Sequence, residues 1–116
     1  MKSKKVLLMG NPNVGKSTVF NELTGMHQHT GNWTGKTVDS TAGKFYYKYN
    51  NYELIDLPGT YSLIPSSEEE RIAGEYLLKE KYDCVVVVMD STMLQRNLML
   101  FYQIFEITNK VVVMLN

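Results

Sequence analysis

Cysteine occurs once, at Cys84, so no disulfide can close within this chain, and the composition suits a reducing compartment. At the head of the apolar run Cys84–Met89, it reads as a buried core thiol rather than a nucleophile. An excess charge of one sign is also lacking. Twelve Lys and Arg balance twelve Asp and Glu, which gives no broad electrostatic footprint for nucleic acid. Long hydrophobic runs are missing too. Val85–Met89 is far short of a bilayer span, and the apolar stretch after the basic start Met1–Lys5 is too short for a signal peptide. No internal repeat or low-complexity linker appears. The expectation is a soluble single domain over residues 1–116, long enough for one core to bury about two-thirds of the unfolded surface.

Against that plain background one segment stands out. Gly10-Asn11-Pro12-Asn13-Val14-Gly15-Lys16-Ser17 matches G-x-x-x-x-G-K-[ST] at every fixed position. It follows the apolar Val6-Leu7-Leu8-Met9 and leads into Ser17–Leu23, which reads as a helix. Glycines there let backbone N–H groups close around phosphates at a helix N-terminus. Lys16 can reach β/γ oxygens, and the Ser17 hydroxyl can ligate Mg²⁺. The segment predicts binding of a nucleoside triphosphate.

Strand and helix patterns alternate along the rest. A strand at Lys5–Met9 and a helix at Lys16–Leu23, capped by Gly25, precede Met26–Ser40, a polar aperiodic stretch that reads as a long functional loop. Lys44–Tyr49 and Tyr52–Leu57 form a hairpin pattern about Asn50-Asn51. Ser67 and Glu70 make a capping box for a helix over Glu68–Lys81, with Ile72, Ala73, Tyr76 and Leu77 on one face. Cys84–Met89 reads as a parallel strand covered on both sides, and Val111–Leu115 as a last buried strand. Leu94, Leu98, Phe101 and Phe105 form a helical stripe. The fold class predicted is a doubly wound, three-layer α/β domain, mostly parallel, with one antiparallel edge strand.

Asp56-Leu57-Pro58-Gly59 ends a strand 39 residues after Ser17. Its aspartate can hold Mg²⁺ through a water, and the Gly59 N–H can approach a γ-phosphate. Thr37 in the long loop is the switch-threonine candidate, whose hydroxyl would complete the metal shell in the triphosphate state. The alternative is that Thr34, Thr37 and Thr41 are ordinary loop hydroxyls. His27 and His29 read as solvent-facing rather than as a metal pair, and Trp33 as a packing or switch residue. The hairpin tyrosines 46, 47, 49 and 52 fit a half-buried strand, or a docking surface if exposed, and the methionines read mainly as core filler.

Four segments together carry a resemblance: Asn11-Pro12-Asn13, Gly31-Asn32-Trp33-Thr34-Gly35-Lys36-Thr37-Val38, Asp56-Leu57-Pro58-Gly59-Thr60-Tyr61-Ser62-Leu63 and Gln95-Arg96-Asn97-Leu98. Over essentially the whole chain the sequence resembles the cytosolic Ras-like G domain of the ferrous-iron transport protein B (FeoB) family, among the TrmE-Era-type P-loop GTPases. The resemblance implies a slow GTPase switch with GTP/GDP, Mg²⁺ and K⁺ as cofactors. Gly10, Asn11, Pro12, Asn13, Val14, Gly15, Lys16, Ser17 and Thr18 would surround the phosphates. Gly31, Trp33, Gly35, Thr37, Asp56, Gly59 and Asn116 would complete the nucleotide contacts. Ser17 and Thr37 would ligate Mg²⁺ directly and Asp56 indirectly. Lys16, Thr37, Gly59 and Asn13 would carry hydrolysis, with Asn13 and carbonyls near Gly31 and Trp33 holding K⁺. Asn13 also reads, equally well, as a loop-stabilising amide. Family members are bacterial and archaeal. Their G domain precedes a helical regulatory domain and a polytopic membrane domain that moves Fe²⁺, which implies the cytoplasmic face of the membrane.

Several positions depart from the simplest switch. Thr60 stands where Ras-like proteins keep a water-orienting glutamine, which implies slow intrinsic hydrolysis and a larger role for the cation. Glu69 matches a family switch-region glutamate, while Glu68-Glu69-Glu70 also reads as a solvated first helical turn. Thr34 replaces the family's proline or alanine, and Lys36 its valine. Asn116 is the first residue of the expected N-x-x-D base motif, and the remainder is absent. The expectation is therefore a truncated G domain with an exposed apolar edge, marginal stability, and homodimerisation or strand exchange. Alternatives are a GTPase of ribosome or tRNA maturation, and a nucleotide-binding fragment without useful turnover.

Overall fold

Val6–Met9 is apolar at every position because β1 (Ser3–Gly10) is the middle of the sheet and is covered on both faces. The computed structural model describes residues 3–25, 28–32 and 39–116, and only the backbone of 28–32 and 39–40. Alternate β1 residues serve different layers. Val6 and Leu8 join Val14, Phe20, Leu54 and Val88 beneath α1 (Lys16–Thr24). Leu7 and Met9 join a larger cluster on the other face, filled by Ala73 and Leu77 of α2 (Glu68–Lys79) and by Leu100 and Ile104 of α3 (Leu94–Ile107). Each fully buried side chain of this kind contributes roughly 1.5–3 kcal/mol.

The other strands are β2 (Gln28–Asn32), β3 (Asp39–Tyr47), β4 (Asn50–Asp56), β5 (Cys84–Met89) and β6 (Val111–Leu115). They stand in the order β2-β3-β4-β1-β5-β6. The pairs β1–β4, β1–β5 and β5–β6 are parallel, whereas β3 runs antiparallel to β4 and β2 antiparallel to β3. The expected α/β class is the observed one. Helices on both faces of a mostly parallel sheet make the three layers.

Some local expectations are corrected. Part of the stretch read as a loop, Gln28–Asn32, is strand, because a polar segment at a sheet edge needs no apolar alternation. The hairpin turns at Lys48 and Tyr49, both with positive φ, and Asn50 already pairs with Tyr47. A turn at Asn50-Asn51 would keep every side chain on its face but set Phe45 opposite Asp56. The observed register sets it opposite Tyr52, with the rings stacked 4.7 Å apart. Of the hairpin tyrosines only Tyr52 is half-buried, and Tyr46, Tyr47 and Tyr49 are exposed.

Helix α2 stops at Lys79, two residues early. The core face of α3 runs through Asn97, Leu100 and Ile104, so Leu94 and Phe105 of the expected stripe are exposed. That helix is apolar nearly all round, and periodicity does not choose its inner face. Strand β6 is not buried: Val112, Val113 and Leu115 are exposed. Cys84 is half-buried rather than buried. Burial, then Asp83, pushes its thiol up, which keeps it protonated.

The strained turn yields a test. Replacing Lys48 and Tyr49 by Asn-Gly, which adopts positive φ without strain, is expected to stabilise the fold by about 1 kcal/mol. A lower denaturant midpoint in the Lys48→Asn/Tyr49→Gly variant would contradict the observed turn.

Candidate nucleotide-binding site

Between the end of β1 and the start of α1 the chain must reverse around an open centre. Asn13 at φ 65° and Gly15 at φ 91° supply the left-handed steps. Gly15 is the N-cap of α1, with no side chain capping the helix and no acidic residue in its first turn. Its leading N–H groups thus keep their affinity for an anion. Gly10 has a packing reason as well: a Cβ there would stand 2.7 Å from the Val88 carbonyl oxygen.

Asn116 sits against this loop. Its Nδ2 donates to the Val14 carbonyl (2.9 Å), its N–H to the Met89 carbonyl (2.8 Å), and a Cβ on Gly15 would collide with its amide. Ser91 donates to the Asn116 carbonyl through both N–H (3.1 Å) and Oγ (3.0 Å). Asn116 therefore braces the loop from the end of β6.

Parallel pairing sets Asp56 beside Leu8, one strand over from the loop. There the Lys16 ammonium meets the Asp56 carboxylate and donates to the Leu57 carbonyl (2.8 Å). Burial raises the Asp56 pKa above its ordinary value, and the Lys16 charge and hydrogen bond only partly offset it. Gly59 packs tightly on the loop: a Cβ there would stand 3.2 Å from Pro12 Cα. The Thr60 N–H donates to the Gly10 carbonyl (3.1 Å). Ser17, Thr18 and Asn13 are exposed.

The structure thus brings together Gly10 to Thr18, Asp56, Gly59 and Asn116. Gly31 lies on β2 opposite Ser40, two strands from Asp56. Trp33, Thr34, Gly35, Lys36, Thr37 and His27 lie outside the described residues. Among the described residues no three His, Cys, Asp or Glu side chains could hold a metal together. One carboxylate and one hydroxyl beside a phosphate cradle nevertheless suit Mg²⁺, which keeps waters and takes ligands from the nucleotide.

Sequence patterns left a second layer of contacts unassigned. Asn11 donates to the Arg96 carbonyl (3.3 Å), Asn97 to the Met93 carbonyl (2.7 Å), and the Arg96 guanidinium lies over the Tyr61 ring at 4.9 Å. The Asn11 Oδ1, Asn97 Oδ1 and Thr60 Oγ1 atoms are buried without a hydrogen-bond partner among the described residues. Each such deficit costs about 1–3 kcal/mol. The Gln95-Arg96-Asn97-Leu98 segment was the available signal for this layer. Nothing local marked Gln103, which accepts from the Leu63 N–H (2.6 Å).

The family model for ferrous iron transport protein B matches residues 4–116. The chain belongs to the ferrous iron transport protein B family. The Fe(2+) transporter FeoB of Methanocaldococcus jannaschii is 50% identical over 106 residues, 91% of this chain and 16% of that protein. The chain thus spans about one-sixth of the length of this relative. The G domain of the T. maritima FeoB iron transporter superposes with a TM-score of 0.95 at 47% identity, covering 98% of this chain and 72% of that one. The T. maritima cytosolic domain in a GDP form gives 0.93 at 48% identity, covering 97% of this chain and 44% of that one.

A carboxyl with a raised folded pKa adds stability that is fully present below its ordinary value and lost as pH rises through the folded value. Asp56→Asn removes that loss. Its thermal midpoint at neutral pH is expected to equal or exceed that of the parent chain, with a flatter dependence between pH 4 and 7, roughly the window above an ordinary carboxyl. A marked fall in the midpoint would mean that the Lys16–Asp56 pair is net stabilising.

Proposed function

We propose that this chain is the guanine-nucleotide switch domain of a ferrous iron transporter, on the cytoplasmic face of a bacterial or archaeal membrane. The observation that carries the reading is the meeting of Lys16 and Asp56, 40 positions apart, beneath an uncapped helix N-terminus. Lysine, hydroxyl, carboxylate and amides converge where a triphosphate and its metal would sit. The GDP form of the T. maritima domain, at TM-score 0.93, supports the choice of nucleotide.

On triphosphate binding Lys16 exchanges Asp56 and the Leu57 carbonyl for phosphate oxygens, which frees the Asp56 carboxylate. Ser17 and Thr37 would then hold Mg²⁺ directly and Asp56 through a water, while the Gly59 N–H meets the terminal phosphate. Mg²⁺ held there would neutralise the charge developing on the terminal phosphates. Asn13, with carbonyls near Gly31 and Trp33, would hold K⁺, whose charge would do the work of an arginine finger. Thr60 is too short to orient an in-line water as glutamine does, so turnover is slow. No described helix is long and apolar enough to cross a membrane. A helical regulatory domain and a polytopic membrane domain would receive the signal.

Phosphate release from GTP and ATP, compared in KCl and NaCl, tests the mechanism. GTP should be preferred, and both NaCl and Asn13→Ala should slow release by about tenfold or more. Equal rates in the two salts would remove the cation from the mechanism. Equal use of ATP would remove the guanine preference.

A further inference from the structure

The chain between Gly59 and Leu63 forms no helix or strand, so its place is set by what it touches. At the near end Gly59 packs on Pro12, and the Thr60 N–H is bonded to Gly10. At the far end the Ser62 hydroxyl donates to Glu70 Oε2 (2.6 Å), and the Leu63 N–H donates to Gln103 Oε1 (2.6 Å). Few residues separate the two anchors, and each spans at most about 3.5 Å. Only Tyr61 lies between Thr60 and Ser62, so a short stretch of chain ties the two anchors together.

Glu70, in the first turn of α2, accepts hydrogen bonds on both carboxylate oxygens. Ser66 and Ser67 also donate to its Oε1, and Ser67 in turn accepts from the Glu70 N–H (3.2 Å), capping α2. Bonds from Ser62, then Ser66, hold the carboxyl below the ordinary glutamate range. Arg96 over Tyr61 adds a third hold. The clamped arrangement leaves the Thr60 hydroxyl buried and unpartnered among the described residues, so the segment is held against a local hydrogen-bond deficit.

We propose that Glu70 and Gln103 are positioning residues of the switch: by holding Ser62 and Leu63 they set where the Gly59 amide stands against the phosphate loop. The inference rests on the nucleotide-switch reading. A ligand that draws Gly59 toward a terminal phosphate works against the clamp, and a diphosphate does not. The clamp therefore lowers triphosphate affinity relative to diphosphate affinity.

The test uses the full-length chain with Mg²⁺, fluorescent GDP and a non-hydrolysable GTP analogue. Glu70→Ala, Ser62→Ala and Gln103→Ala each remove one of the hydrogen bonds that hold the segment, and each should tighten analogue binding by about three- to tenfold while GDP binding moves less than about twofold. Glu70→Gln, which keeps an acceptor, should fall between. An unchanged affinity ratio, or selective weakening of the analogue, overturns the proposal. Hydrogen exchange of the Leu63 amide without nucleotide supplies a second check. It should be protected in the parent chain and released in Gln103→Ala, and rapid exchange in the parent overturns the clamp whatever the nucleotide data show. If the parent chain and Lys16→Ala bind neither nucleotide while Leu63 stays protected, the switch reading fails, and the proposal with it, though the contact stands.

Discussion

Strand β1 is the constraint on which the rest depends. Buried between β4 and β5, it fixes two registers at once: Leu8 beside Asp56 and Gly10 beside Val88. The first pairing brings a carboxylate to the phosphate loop from 40 residues away. The second presses the loop's first glycine against the Val88 carbonyl, where no side chain fits. Because Val6 and Leu8 belong to one core and Leu7 and Met9 to the other, a slip of one residue would invert both layers. The register is thus held by two hydrophobic clusters, and the polar site inherits its precision from them.

The site itself is arranged for a ligand rather than for stability. An uncapped helix N-terminus, a carboxyl raised by burial, and oxygens on Asn11, Thr60 and Asn97 that lack a partner among the described residues all carry a free-energy cost. The apolar layers on both faces of the sheet offset it. Lys16 satisfies Asp56 and the Leu57 carbonyl. Behind it, Glu70, Arg96 and Gln103 tie the chain after Gly59 to α2 and α3. A chain of direct contacts thus runs from the phosphate loop to the two helices on that face.

Much of this was legible before folding. The phosphate loop is a run of adjacent residues whose backbone needs are written in Gly15 and Asn13. The strand Cys84–Met89 and the Ser67 cap were plain from apolar runs and one hydroxyl. The turn at Lys48-Tyr49 was not, since Asn50-Asn51 carries the stronger local preference and the observed register is set by cross-strand pairs such as the Phe45–Tyr52 stack. Strand β2 escaped notice because its partner, not its pattern, makes it a strand. The inner face of α3 was hidden by apolar residues on every side.

The sequence by itself determined the α/β class and pointed to the glycine-rich loop with Lys16, Ser17 and the distant Asp56, because these rest on periodicity and short contiguous motifs. Tertiary structure alone decided that Lys16 faces Asp56, that Asn116 braces the loop, and that Glu70 gathers three serine hydroxyls while Gln103 holds Leu63. Such contacts depend on strand register and helix rotation. Many side chains cooperate to set both, and no local run of residues encodes either.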